Sequence, residues 1–423
     1  MNRSPLILMA VTVLAAGIAG WSGAATATPR MPGGGSCDQK VAAFIAAPPA
    51  VIDSLGLTNA WAYSRGTGIT VAVVDSGVTE ANPHLGSVVL PGTTLVGTTD
   101  NRADIGGLGT AIAGLIAAQP VEGSGLTGVA PGARILPVRV YDKAEGQTPS
   151  PDGPQPPAPA VTAQGIIWAA DHGAAIIVVP TPFTVDDAAL RQAVTYARNK
   201  GALTIAPVGD AANTTGSDGT VWYPAAYSDV VLGVTAVDAA GAPTDATVRN
   251  ASVQLAAPGA NAVSTFYALG DCLFTGSTPS SVFAAGYAAG VAALVAARFP
   301  QEQPADWAYR LLATASRPLA AQRDDALGWG VIDPTAALTF VNDGTALGPA
   351  NPRYPPPTPA PVPPGMRGRV AAPGPGDLDR RALAGAAALA VIVALMAPLV
   401  ARRRQRPTSS TPRPVRPSGE GLS

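Results

Sequence analysis

The chain has 423 residues, with 47 glycines, 43 prolines, two cysteines and two histidines, and its formal net charge is −1 at pH 7. This length accommodates one large domain with attached tails, or two smaller domains, and it is sufficient for a sizeable core. A nearly neutral chain gives no basic surface for a phosphate backbone, so nucleic acid is not an expected partner. With so few cysteines and histidines, a four-ligand zinc site would need an unusual ligand set, and haem or iron–sulfur motifs are absent; no metal or cofactor is expected.

The first 27 residues have the pattern of a secretory signal peptide. A positive start at Arg3 precedes a mostly apolar stretch, and small residues up to Ala27 provide a cleavage site. A membrane helix retained at the N-terminus is the alternative. Export implies an oxidising compartment, where Cys37 and Cys272 either form a disulfide or remain free and buried. The bridge is favoured because two thiols in an exported chain have few other partners.

From about Val51 to Val341, β-branched apolar runs alternate with alanine-rich helical stretches. The predicted strands lie at 69–74, 135–140, 175–179, 203–206 and 230–234, and the predicted helices at 110–118, 163–172, 186–200, 282–299 and 305–315. Continuous rather than alternating apolar runs are expected where helices cover both faces of a parallel sheet. The sequence therefore predicts a doubly wound α/β domain, with its functional groups at the carboxyl ends of the strands.

The C-terminal part has the pattern of a membrane anchor behind a spacer. Residues 349–381 form a linker with eleven prolines, which favours an extended polyproline II spacer. Residues 382–400 hold no charge, and this length of helix gives about 28 Å, enough for a single transmembrane helix across a hydrocarbon core of about 30 Å. The tail, 401–423, has six arginines against Glu420, which predicts a cytoplasmic C-terminus and a globular domain outside the cell membrane.

Four segments of the domain carry a family resemblance. They are Val73-Val74-Asp75-Ser76-Gly77-Val78, Gly107-Leu108-Gly109-Thr110, Gly128-Val129-Ala130-Pro131-Gly132 and Phe283-Ala284-Ala285-Gly286. In this order and spacing they resemble the subtilisin-like serine proteases of peptidase family S8, and in particular the mycosins, which are membrane-anchored subtilases of type VII secretion systems. The resemblance extends to the order of signal peptide, protease domain, proline-rich linker, single span and basic tail.

The resemblance implies a subtilisin-like domain at 51–348 preceded by an extension at 28–50. This extension is too short for the inhibitory prodomain of secreted subtilases. In mycosins a similar extension wraps around the protease domain. A bridge between Cys37 and Cys272 would pin the extension beside the segment that leads to Val282.

The resemblance also assigns four catalytic positions. A serine protease needs a nucleophilic hydroxyl, an imidazole base, a carboxylate that orients the base, and donors for the oxyanion. Asp75 matches the family's acid, but the histidine and serine positions hold Leu108 and Val282, and the oxyanion asparagine position holds Asp210. Leucine and valine transfer no proton, and an ionised Asp210 would repel an oxyanion. Asp75 is then expected to be a capping carboxylate that the fold has kept.

Several alternatives would restore chemistry. A one-residue slip in the alignment would make Ser281 the nucleophile, although without a base it would stay a weak alcohol. The serine-carboxyl relatives use Glu for His and Asp at the oxyanion site, which fits Asp210 but supplies neither acid nor nucleophile at the other positions. His84 and His172 are interpreted as surface or capping residues outside the triad.

Three functions remain open on these grounds. The first is a pseudoprotease, an inactive structural or regulatory component bound to the membrane subunits of a type VII secretion complex. The second is an active serine endopeptidase that processes exported substrates, and the third is a cell-surface binding module unrelated to secretion. The first is favoured because the second lacks a base and a nucleophile, and the third leaves the mycosin-like segments unexplained.

Overall fold

A computed structural model of the chain describes residue 37 and residues 41–97, 102–142, 155–211 and 220–354. The signal peptide, most of the linker, the apolar segment 382–400 and the basic tail lie outside the described residues. The chain divides into two compact units after residue 356, and everything described here belongs to the first unit.

A sheet of seven parallel strands forms the centre of this unit. The strands are β1 (Thr70–Asp75), β2 (Thr93–Thr94), β3 (Arg134–Arg139), β4 (Ile176–Val178), β5 (Leu203–Pro207), β6 (Val231–Val237) and β7 (Leu255–Pro258). Their order across the sheet is β2-β3-β1-β4-β5-β6-β7, and every pairing is parallel. Strands β4, β5 and β6 are buried along their whole length, as the continuous apolar runs predict.

Helices cover both faces of the sheet. They are α1 (Val51–Ser54), α2 (Leu57–Ala60), α3 (Leu108–Ala117), α4 (Pro159–Asp171), α5 (Ala188–Asn199), α6 (Ser281–Arg298), α7 (Pro304–Ala313) and α8 (Pro334–Thr339). Helices α4 and α5 pack in one hydrophobic core, and α3 and α6 pack in a larger core on the other face. This arrangement confirms the predicted parallel sheet flanked by helices.

Helix α6 is apolar along nearly its whole length because it runs through the larger core. Small residues let its neighbours approach closely: a Cβ at Gly286 would meet Leu115 at 2.8 Å, and one at Gly290 would meet Val129 at 2.6 Å. Among the described residues, α6 is the one helix that is long and apolar enough to cross a membrane. Its burial accounts for that composition.

The N-terminal extension lies beside a hairpin that the sequence did not predict, made of the antiparallel strands β8 (Val263–Thr265) and β9 (Asp271–Leu273). Ala43 N–H donates to the carbonyl oxygen of Leu269 at 2.9 Å, and Asp271 N–H donates to that of Ala43 at 2.8 Å. A disulfide joins Cys37 to Cys272, which confirms the predicted bridge. The extension is therefore held by one covalent bond and by strand-like backbone bonds.

His84 supports the same extension from inside the protein. The ring is fully buried; Nε2 lies 2.8 Å from Asp271 Oδ1, and Nδ1 lies 2.6 Å from the carbonyl oxygen of Gln119. The other Asp271 oxygen accepts the Ile45 N–H at 2.9 Å and the Ser124 hydroxyl at 2.6 Å. The prediction of a surface or capping role is wrong for His84, because its acid partner comes from a distant part of the chain that local sequence does not reveal.

Candidate active site

Asp75 is the last residue of β1, so it lies in a buried position where the parallel strands of the sheet have their carboxyl ends. The hydroxyls of Tyr141 and Ser76 lie 2.9 Å and 3.0 Å from its Oδ1, and the Thr181 hydroxyl donates to Oδ2 at 3.0 Å. Tyr141 and Thr181 follow β3 and β4, because parallel strands bring their carboxyl ends to one edge. Burial, together with the charge of Asp104, raises the pKa of Asp75 to about 6.

Asp104 is a second buried carboxylate at this edge, which the sequence analysis did not single out. It accepts the Ser76 hydroxyl at 2.6 Å, two glycine N–H groups, and both the N–H and the hydroxyl of Thr110 at 2.7 Å. Three of these donors are backbone N–H groups at the start of α3, which lack partners within the helix. Burial raises the pKa of Asp104 against the effect of these donors. Its place just before a glycine-rich helix start was the available sequence signal.

Leu108 and Val282 begin the two helices of the larger core. Leu108 is the first residue of α3, and Val282 is the second residue of α6. Val282 is a buried member of that core, and Leu108 packs against it while partly exposed. Both side chains present apolar surface and hold no group that transfers a proton.

Asp210 follows β5 and caps helix α6. Its Oδ1 accepts the Ser281 N–H at 2.7 Å, and its Oδ2 accepts the Ser280 hydroxyl at 2.8 Å. Burial raises the pKa of Asp210, and the bonds from Ser281 and Ser280 oppose this effect. The buried Ser281 hydroxyl lies near the same carboxylate without a well-aligned hydrogen bond to any described residue. Asp210 therefore stabilises the start of the helix on which the expected nucleophile position lies.

Replacing Asp210 with alanine is expected to lower the free energy of unfolding by about 1–3 kcal/mol, because it leaves the Ser281 N–H and the Ser280 hydroxyl without an acceptor. Asp210→Asn is the matched control: it keeps an acceptor oxygen for the N–H and removes the cost of a buried charge, so its stability should equal or exceed that of the parent. Urea unfolding measures the free energy of unfolding of both variants. Equal losses in the two variants would contradict the capping role.

Neither histidine of the chain supplies a base here. His84 contacts Asp271 and Gln119, as described above. His172 is the C-cap residue of α4 at the surface, where its ring stacks on Trp168 with centroids 3.7 Å apart; its predicted capping role is confirmed. The sequence contains two histidines in total, so Asp75 has no imidazole partner.

Comparison with known proteins identifies the family. The model of the subtilase family, Peptidase S8, matches residues 66–330. Mycosin-3 of Mycobacterium tuberculosis is 35% identical over 409 residues, which are 84% of this chain and 84% of that protein. The chain belongs to the mycosins, within the subtilase family.

Solved structures agree with this assignment. The MycP3 protease from the type VII (ESX-3) secretion system has a TM-score of 0.60 at 32% identity, over 70% of this mycosin and 89% of that chain. A chain of an intact ESX-5 inner membrane complex has a TM-score of 0.62 at 28% identity, over 86% of this mycosin and 92% of that chain. The fold of this mycosin is therefore that of the subtilases.

The groups around Asp75 and Asp210 differ from those of a Ser-His-Asp triad. Asp75 contacts hydroxyl groups instead of an imidazole, and Asp210 brings a carboxyl group to the start of α6. In a Ser-His-Asp triad the carboxylate acts by orienting the imidazole, and Asp75 has no imidazole to orient. The assignment of Leu108, Val282 and Asp210 to the family's catalytic positions stays a prediction.

Proposed function

We propose that this mycosin is a catalytically inactive component of a type VII secretion system, with a structural or regulatory role. In this proposal the helix 382–400 anchors it in the cell membrane, the subtilase domain lies outside the cytoplasm, and the tail lies inside. The order of charged and apolar segments in the sequence supports this topology. Its partners are the membrane subunits of the secretion complex.

One observation carries the proposed inactivity: the buried Asp75 carboxyl group is surrounded by hydroxyls, and both histidines of the chain are engaged elsewhere. Leu108 and Val282 add apolar surface at the two helix starts. A triad that lacks its base and its nucleophile keeps only the small rate enhancement given by binding and the oxyanion site. Asp210 weakens even this remainder, since its carboxylate disfavours a second negative charge.

The proposed partners rest on the similarity to a chain of the ESX-5 inner membrane complex, which covers 86% of this mycosin. Affinity purification of the full-length chain from its native membrane, in mild detergent, tests this proposal. Co-purification of type VII membrane subunits would support it. Their absence from a preparation in which those subunits remain assembled with each other would overturn it.

Fluorophosphonate labelling tests the inactivity. Circular dichroism first establishes that the full-length chain is folded. The chain and an active subtilase are then treated with the probe in parallel, and adducts are mapped by mass spectrometry. We expect no adduct on this mycosin, because no base activates a serine. An adduct on Ser281, or on another single serine, would identify an active endopeptidase with an unusual base and overturn the proposal.

A further inference from the structure

The Ser76 hydroxyl lies between two carboxyl groups. Its oxygen is 3.0 Å from Asp75 Oδ1 and 2.6 Å from Asp104 Oδ1. A hydroxyl has one hydrogen, so Ser76 donates to only one of the two. A proton on one of the two carboxyl groups would turn the other oxygen–oxygen contact into a hydrogen bond as well.

The hydrogen-bond partners decide which acid holds that proton. Asp104 accepts five hydrogen bonds, three of them from backbone N–H groups that can only donate, and this pattern favours its charged form. Asp75 contacts three hydroxyls, from Ser76, Tyr141 and Thr181, and a hydroxyl can donate or accept; the backbone of Ser76 is its one contact with an N–H group, against three for Asp104. The consistent arrangement is a relay in which the Asp75 O–H donates to Ser76 Oγ, and Ser76 donates to Asp104.

Other ionisable groups are packed around the pair. Arg139 of β3 is buried and donates hydrogen bonds to the carbonyl oxygens of Ser76, at 3.1 Å, and Ala103. Tyr267 lies between β8 and β9, and burial with the charge of Asp104 raises its pKa to about 12. Burial and the nearby acid also raise the pKa of Tyr141. Gly109 of helix α3 lies against Asp75, since a Cβ at this glycine would lie 3.4 Å from Asp75 Cβ.

We propose that Asp75 holds a proton in the folded protein, and that loss of this proton loosens residues 102–107 and the first turn of α3. Asp75 ends a central strand of the sheet, whereas Asp104 belongs to a surface loop in which Ile105 is exposed. Two buried negative charges repel each other strongly, and the loop is the part that can move. The hydrogen-bonded chain from Asp75 through Ser76 to Asp104 therefore holds the loop 102–107 in place at acidic pH and releases it at basic pH.

The state of the loop affects the start of α3, because Leu108 follows directly after residue 107. A tight loop fixes Leu108 against the larger core, and a loose loop changes the surface that a partner meets. The inference concerns the same site as the proposed function but does not rest on it. Its tests measure protonation and exchange, so they fail or succeed independently of any proteolysis.

Carbon-13 NMR of carboxyl-labelled aspartate in the full-length chain tests the protonation. The Asp75 carboxyl signal, assigned through its own side-chain correlations, is expected to titrate with a pKa of about 6 because of burial and the charge of Asp104. Replacing Ser76 with alanine removes the shared hydroxyl and should change this midpoint. Titration at or below the ordinary value of 3.8 would overturn the proposal.

Hydrogen exchange tests the loosening. The Gly106, Gly107 and Thr110 amides donate to Asp104, so their protection reports on the loop. After correction for intrinsic rates, we expect them to exchange about tenfold faster or more at about pH 8 than at about pH 5. Asp75→Asn is the matched control. Its neutral amide imitates the protonated acid, so the same backbone amides should be equally protected at both pH values. A pH-dependent loss in Asp75→Asn as large as in the parent, or no loss in the parent, would overturn the proposal.

Discussion

The variant Leu108→His/Val282→Ser/Asp210→Asn is expected to react with a fluorophosphonate at position 282 at least about 10³-fold faster than the parent chain. It supplies an imidazole at the start of α3, a hydroxyl at the start of α6 and an uncharged oxyanion donor after β5. These are the groups that activate a serine and stabilise the oxyanion. Labelling rates with mapped adducts give the readout.

The single and double replacements at these positions serve as controls. Members of a triad act as a unit, so restoring one or two groups should give almost no gain. Adding Asp75→Asn to the triple variant should remove most of the gained reactivity, because the imidazole then loses its orienting carboxylate. A folded triple variant that reacts no faster than the parent would contradict the assignment of Leu108, Val282 and Asp210 to catalytic positions.

Replacing His84 with alanine is expected to lower the free energy of unfolding by about 3–5 kcal/mol. The His84 and Asp271 side chains are fully buried, with His84 Nε2 2.8 Å from Asp271 Oδ1. The two ring nitrogens lie close to Asp271 Oδ1 and to the Gln119 carbonyl oxygen. Burial alone would raise the pKa of Asp271; the contacts from His84, Ser124 and Ile45 outweigh it and lower that pKa. Removing the ring leaves a buried charge without its partner.

Urea unfolding of a double-mutant cycle measures this coupling. His84→Ala/Asp271→Ala should cost less than the sum of the two single variants, because each single variant already loses the pair. His172→Ala is the matched control: this exposed histidine should change stability by no more than about 0.5 kcal/mol. A loss for His84→Ala as small as that for His172→Ala would show that the buried pair contributes little to stability.

The sheet could be read from the sequence because its strands are buried on both faces. The run at 69–74 became β1 at Thr70–Asp75, and the run at 203–206 became β5 at Leu203–Pro207. Strand β7, Leu255–Pro258, escaped notice because its four residues are too short and too rich in alanine for a β-branched pattern. The bridge between Cys37 and Cys272 followed from export and from the absence of other thiols.

The surroundings of the candidate site could not be read in the same way. Asp75 was visible because it directly follows a buried run, but its partners Tyr141 and Thr181 follow other strands and meet it only once the sheet has formed. The capping role of Asp210 depends on the distant start of α6. His84 was misread for the same reason, since a histidine in a turn gives no local sign of a buried acid partner.

A cut in the backbone between residues 37 and 41 would leave a nicked molecule of two chains. The disulfide from Cys37 to Cys272 would keep the short piece attached, and the bonds at Ala43 and Ile45 would keep the start of the larger piece seated against the hairpin. Such a cut therefore releases no diffusible activation peptide. Cleavage at this place would create two new chain ends, while the disulfide keeps both pieces in one molecule.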